Sequence, residues 1–145
     1  MDARDTIPIL IETSAATDGC FQNTRPLLHE IAHALRRLQL EGVATTLDLS
    51  AIPFGPGDER QLIDFLGKGE VSAKLEAMGE SLIWESRYAG VWIVEHRSTS
   101  SERLAFQLEI TKLPAILASQ PEDIAESLLM LREALESPQA DGTLV

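Results

Sequence analysis

Two histidines with three residues between them, and a glutamate directly after the first, could bind zinc on one face of a helix. The segment is His29-Glu30-Ile31-Ala32-His33. In this pattern the two imidazoles hold the metal, and the glutamate acts as the general base in hydrolysis. A zinc-dependent hydrolase that uses His29, Glu30 and His33 is therefore one hypothesis for the function of the protein.

A catalytic zinc also needs a third protein ligand and a cleft around the metal. The remaining histidine, His96, falls on a predicted strand far along the chain. His29 and His33 lie on the side of the helix away from its apolar stripe, which we expect to face solvent. Arg36 and Arg37 lie on that same side, and their charges oppose metal binding. The sequence therefore favours an exposed polar helix face, with no catalytic residue, bound metal or cofactor.

The histidines belong to the most clearly predicted helix in the sequence. Asn23 or Thr24 can cap its start, and Gly42 is typical of the position after a helix ends. Its apolar side chains recur at helical spacing and form one stripe, which consists of Leu28, Ile31, Leu35 and Leu38.

Changes of hydrophobic period, together with glycine and proline positions, predict the other elements. Strands are expected over residues 6–12 (an edge strand), 43–49, 70–76, 81–87, 90–96 and 104–110, and helices over 58–66 and 123–135. The four consecutive strands have short connections, which favours an antiparallel meander. We predict an α+β fold in two layers, in which a meander sheet of four to five strands packs against helices on one face. Residues 1–145 should form a single domain with an ordered core of about 24–136, a flexible loop at 13–23 and a flexible tail at 137–145.

The charge balance limits the classes of partner. The chain has 145 residues, 12 Lys and Arg against 23 Asp and Glu, and a formal net charge of -11. Because binding to phosphates requires clustered cations, neither nucleic acid nor an anionic membrane surface is an expected partner. One cysteine, Cys20, excludes an internal disulfide and a Cys-rich metal site. We expect no signal peptide near Met1 and a cytoplasmic location.

Several segments resemble the hydrogenase expression/formation proteins of the HupH/HyaF type, which are accessory proteins for nickel–iron hydrogenase maturation. The most distinctive are LGKGEVSA (66–73), IWESRYAGVWIVEH (83–96) and LEITKLPAIL (108–117). The segments LLHEIAHALRRL, TTLDLSAIP and GDERQLIDFLGKGEVS are also similar to the family, in the same order and spacing. The resemblance covers roughly residues 27–117, most of the chain.

The resemblance implies a non-catalytic chaperone or scaffold in hydrogenase assembly. It implies that the partner is a hydrogenase subunit precursor, above all the Fe–S small subunit before export, or another maturation protein. Members of the family often carry two copies of this domain, and this sequence has one. The single copy leaves open a short paralogue, a homodimer, or a protein that lacks part of the usual function.

Six residues near the strand ends are candidates for contact with a protein partner: Glu70, Trp84, Gly90, Trp92, Glu95 and His96. Tryptophan is enriched at binding hot spots, but a large aromatic on a small sheet can equally belong to the core. Glu70 and His96 are otherwise explained as exposed residues at strand ends, and Gly90 as a turn residue. Glu95 and His96 should face opposite sides of the sheet.

Overall fold

The computed structural model describes residues 24–137, and the predicted strand at 6–12 lies outside them. Helices, strands and two short 3₁₀ turns follow one another along the chain. Their order is α1 (Thr24–Glu41), β1 (Thr45–Asp48), a 3₁₀ turn (Leu49–Ala51), α2 (Asp58–Leu66), β2 (Ser72–Glu76), β3 (Glu80–Glu85), β4 (Val91–Arg97), β5 (Arg103–Ile110), a second 3₁₀ turn (Ala115–Leu117) and α3 (Pro121–Glu136).

The chain divides into two compact units, the first ending at Lys112 and the second beginning at Leu113. The first unit contains a five-stranded sheet in the order β1-β5-β4-β3-β2, in which every pair is antiparallel. Strands β2 to β5 are neighbours in sequence and in space, which confirms the predicted meander. The second unit contains α3, whose apolar residues at positions 124, 128, 131 and 135 share one side of the helix.

Helices α1 and α2 pack on one face of the sheet. Leu27, Ile31 and Ala34 of α1, together with Leu62 and Leu66 of α2, form one core cluster with strand residues. On the sheet side the cluster contains Val91, Ile93, Phe106, Leu108 and Ile110. The register places Ile93 opposite Leu108 and Val91 opposite Ile110, so these strand residues share one face. The first unit is therefore the predicted α+β arrangement of helices on a sheet.

Glycine residues end the first two helices. Gly42 adopts a φ of 72°, and its N–H donates to the Leu38 carbonyl at 3.0 Å, which closes α1. Gly67 adopts a φ of 67° after α2, and its N–H donates to the Ile63 carbonyl at 2.9 Å. A side chain at either position would disfavour this left-handed backbone.

Substitution of Ile93 by alanine tests the central strand. Ile93 is 0% exposed, so the Ile93→Ala change leaves a cavity and should lower the free energy of unfolding by about 2–5 kcal/mol. Leu104, on the neighbouring strand, is 64% exposed, and Leu104→Ala should change stability by less than about 0.5 kcal/mol. Urea denaturation followed by circular dichroism measures both. Equal losses in the two variants would contradict this placement of the core.

Candidate functional site

Trp84 and Glu95, two of the predicted contact residues, line the same cleft. In the β3–β4 register Trp84 lies opposite Ile93 and Leu82 lies opposite Glu95, so all of them belong to the helix-bearing face of the sheet. Towards β2 that face holds a cleft of about 410 Å³. We call it the Trp84 cleft; it is lined by Lys68, Ser72, Ala73, Lys74, Leu82, Ile83, Trp84 and Glu95.

The carboxylate of Glu95 is buried in the central strand and needs charged partners. The residue is 7% exposed, and Arg97 Nη2 donates to its Oε2 at 3.0 Å. Arg103 Nη1 lies 3.9 Å from the same oxygen. Arg103 in turn forms two hydrogen bonds with Glu59 of α2, at 2.9 and 3.1 Å. This Glu59–Arg103–Glu95 chain links the first turn of α2 to the middle of the sheet.

Arg103 also contacts an aromatic ring, in addition to its ion pairs. Its guanidinium carbon lies 4.3 Å from the centroid of the Phe106 ring, within the range of a cation–π contact. The hydrogen bonds with Glu59 raise the pKa of Arg103 above its ordinary value. The side chain therefore remains a fixed cation beside the buried carboxylate.

Two lysines supply positive charge to the cleft. Lys68 Nζ lies 5.6 Å from the centroid of the Trp84 ring, and no carboxylate of residues 24–137 lies within ion-pair distance of it. Lys74 Nζ contacts Glu80 at 2.8 Å and Glu76 at 3.4 Å. Its hydrogen bonds with Glu80 and then Glu76 raise the pKa of Lys74. Lys68 is thus the lysine of the cleft that has no carboxylate partner among residues 24–137.

Trp92 does not belong to an accessible contact surface. It is 3% exposed, and its Nε1–H donates to the Thr111 carbonyl at 3.1 Å. Strand alternation places Trp92 on the face opposite Trp84, where Ile83 and Val94 are also buried. Burial and this hydrogen bond favour a core role for Trp92, the alternative that the sequence also offered, over direct contact of its ring with a partner.

Gly90, His96 and Glu70 lie apart from the Trp84 cleft. Gly90 has a φ of 94°, and its N–H donates to Glu85 Oε2 at 3.1 Å, which gives it a structural role in the β3–β4 turn. His96 faces the side opposite Glu95, as predicted, but it is half-buried and its Nδ1 lies 2.7 Å from Ser81 Oγ. Glu70 is exposed and precedes β2, which begins at Ser72 instead of the predicted position 70.

The histidines of the HEIAH segment are exposed on α1, as their position on the helix predicts. His29, Glu30 and His33 all face solvent. Within residues 24–137, no group of three or more His, Cys, Asp or Glu side chains is close enough to hold a metal ion. The third ligand that a zinc hydrolase requires is not provided by this part of the chain.

None of the helices in residues 24–137 is both long enough and apolar enough to cross a membrane.

Sequence reasoning missed the cations around Trp84 and Glu95. Arg103 and Glu59 are separated by 44 positions, and no local pattern connects them. Lys74 could have been found, because alternation in β2 and β3 places it on the same face as Leu82. The position of Lys68 over Trp84 depends on the path of the chain between α2 and β2, which has no sequence signature.

Comparison with known proteins places this arrangement in a family. The family model described as "HupH hydrogenase expression protein, C-terminal conserved region" matches residues 21–137. The chain belongs to the HupH hydrogenase expression protein family. This confirms the resemblance noted in the sequence.

Individual members of the HupH family agree with this assignment. The hydrogenase expression/formation protein HoxQ of Azotobacter vinelandii is 34% identical over 119 residues, which are 79% of this chain and 42% of that protein. The hydrogenase-1 operon protein HyaF of Escherichia coli is 26% identical, over 82% of this chain and 41% of that protein. The chain therefore spans less than half the length of these curated relatives.

A solved HupH structure has the same fold. The hydrogenase expression protein HupH from Thiobacillus denitrificans is similar with a TM-score of 0.71 and 39% identity, over 77% of this chain and 95% of that chain.

Replacement of Arg103 by alanine tests the charge chain at the site. Arg103→Ala leaves Glu95 buried with one fewer cation and removes the contact with Phe106, so the free energy of unfolding should fall by about 1–2 kcal/mol. Arg60, which pairs with Asp64 on an exposed helix surface, is the matched control. Arg60→Ala should cost less than about 0.5 kcal/mol. Thermal unfolding of both variants measures the difference. An Arg103 variant as stable as the control would show that the Glu59–Arg103–Glu95 contacts do not stabilise the packing of α2 on the sheet.

Proposed function

We propose that this chain is a non-catalytic accessory factor in nickel–iron hydrogenase maturation, which acts as a chaperone or scaffold. Its membership of the HupH family supports an accessory role, because relatives of this chain are named as hydrogenase expression and formation proteins. The client we propose is a hydrogenase subunit precursor, with the Fe–S small subunit as the first candidate and another maturation protein as the second. Since this precursor would be met before export, we place the encounter in the cytoplasm.

The Trp84 cleft is the surface that we assign to client binding. It combines a large aromatic ring, a lysine without an ion pair among the described residues, and an arginine-supported carboxylate. Aromatic residues in a partly enclosed site contribute strongly to protein–protein affinity, and charged groups at its rim select the partner. The lysine over the indole is the single observation that carries this assignment.

The portion of the HupH proteins that this chain covers should be sufficient to bind the client. We propose that residues 1–145 act as one HupH-type domain in client binding, although the curated relatives are more than twice as long. The described site supports this proposal because all the lining residues of the Trp84 cleft lie within residues 68–95.

Charge reversal at Lys68 tests the cleft. Lys68 is exposed, so Lys68→Glu should leave the fold intact while it places a second carboxylate beside Glu95. We expect the dissociation constant for purified small-subunit precursor to rise about tenfold, measured by biolayer interferometry. Lys112→Glu is the matched control, because it makes the same change of net charge at an exposed lysine that does not line the cleft. If both variants bind as the wild type does, the cleft is not the client site.

A separate experiment tests the function itself. Tagged protein is purified from cells that express a nickel–iron hydrogenase operon, and the co-purifying proteins are identified by mass spectrometry. We expect the small-subunit precursor, and its recovery should fall with Lys68→Glu but not with Lys112→Glu. Repeated recovery of no hydrogenase subunit and no maturation protein would overturn the proposed function.

A further inference from the structure

Among residues 24–137, strand β2 forms one edge of the sheet, and some of its backbone hydrogen-bonding groups point away from β3. In the described part of the chain, β2 pairs with β3 and has no strand on its other side. Glu85 N donates to the Val71 carbonyl at 2.9 Å, and Ser72 lies opposite Trp84 in the register. Because bonded and non-bonded positions alternate in an antiparallel pair, the backbone groups of residues 73 and 75 point towards β3. Those of residues 72, 74 and 76 point outwards.

The side chains of β2 divide into two rows. Ser72, Lys74 and Glu76 are exposed on the helix-bearing face, whereas Ala73 and Leu75 are half-buried on the other. The strand contains no proline, and its pairing with β3 is continuous from Ser72 to Glu76. An open edge of this kind accepts a further strand unless a charge opposes it.

We propose that a second copy of this chain pairs with β2 in antiparallel orientation, about a two-fold axis midway between the two Leu75 residues; each register is named by the residue that lies at its axis. This register places Lys74 of each copy opposite Glu76 of the other. Each Lys74, which contacts Glu76 and Glu80 of its own chain, thus gains a third carboxylate from the second copy. On the other face Leu75 lies opposite Leu75, and Ala73 lies opposite Ala77. Residues 74 and 76 of the two copies exchange their outward backbone hydrogen bonds.

Charge disfavours the two-fold registers centred on residues 73, 74 and 76. A register centred on Ser72 would instead rely on residues 68–71, which precede the strand. An axis through residue 74 would place Lys74 opposite Lys74, and an axis through residue 76 would place Glu76 opposite Glu76. With an axis through residue 73, Glu70 would lie opposite Glu76. Like charges directly opposite each other on neighbouring strands are destabilising. A lysine on an edge strand usually opposes pairing with another strand. Here Lys74 instead favours the register centred on Leu75.

Two exposed apolar residues fit the same register. Val71 is 46% exposed just before the start of β2, and Met78 is 96% exposed just beyond its end. Pairing through Leu75 places residues 71 and 72 of one copy beside residues 78 and 79 of the other. Both exposed side chains thus lie at the ends of the shared interface.

The dimer would join two five-stranded sheets into one. Because the two-fold axis is perpendicular to the sheet, the helix-bearing faces of both copies lie on the same side, and so do their two Trp84 clefts. This inference concerns purified protein alone and stands independently of the hydrogenase client.

Sedimentation velocity over a wide range of concentrations tests the pairing. The wild type should show a reversible monomer–dimer equilibrium. Lys74→Glu and Glu76→Lys should each weaken dimerisation about tenfold, because each replaces both opposite-charge pairs by like-charge pairs. An equimolar mixture of the two variants should dimerise as the wild type does, because each chain then supplies the charge that the other lacks.

Controls separate this interface from loss of fold. Arg60→Glu reverses an exposed charge away from β2 and should leave the dimerisation constant unchanged. Circular dichroism of each single variant checks its fold, and recovery upon mixing requires two folded chains. A wild type that is monomeric throughout overturns the proposal. So does a dimer that neither charge reversal weakens, or a mixture that dimerises no better than the single variants.

Discussion

The five consecutive buried residues of β4, from Val91 to Glu95, are the constraint on which the architecture depends. Such a strand belongs in the middle of a sheet, and β3 and β5 pair with β4 along its two edges. The last of the five residues is a carboxylate, whose burial would be costly without partners. Arg97 of the same strand and Arg103 of β5 lie beside it, and Glu59 holds Arg103 from α2. One buried charge thus fixes the position of a helix relative to the sheet.

The polar side chains of the site lie on the helix-bearing face of the sheet, between the packed helices and strand β2. Over β4 and β5 the core contacts of α1 and α2 are apolar, and the Glu59–Arg103 pair is a charged contact between α2 and the first residue of β5. Towards β2 the same face carries lysines, an indole and a carboxylate around one cleft. An apolar centre stabilises the domain, while its margin supplies the charges that can discriminate between partners.

The meander was predicted from the alternation of apolar and polar residues in β2 and β5 and from the short connections between consecutive strands. Strand β4 does not alternate, because it is buried on both faces. Sequence periodicity placed the apolar stripe of α1 less accurately: Leu27 and Ala34 are buried, whereas Leu28, Leu35 and Leu38 pack only partly against the core. The buried side of α1 is rotated from the predicted stripe. The positions of the strands decide which side of the helix is covered, and the helical pattern carries no information about them. Trp84 and Trp92 could not be told apart from sequence, since a shift of one residue in register exchanges the faces of a strand. The Glu59–Arg103 pair depends on long-range folding and had no local signal.

The order of the strands also implies an order of assembly. Each of β2 to β5 lies next to its neighbour in sequence, so the meander can form through short-range contacts. Strand β1 instead pairs with β5, with Thr45 opposite Ile110, and closing so long a loop carries a larger entropic cost. During synthesis α1 and β1 leave the ribosome before the strand that completes their packing exists. The apolar side of α1 must therefore remain without its final partner until β5 has been made. Misassembly is most favoured during this interval of synthesis.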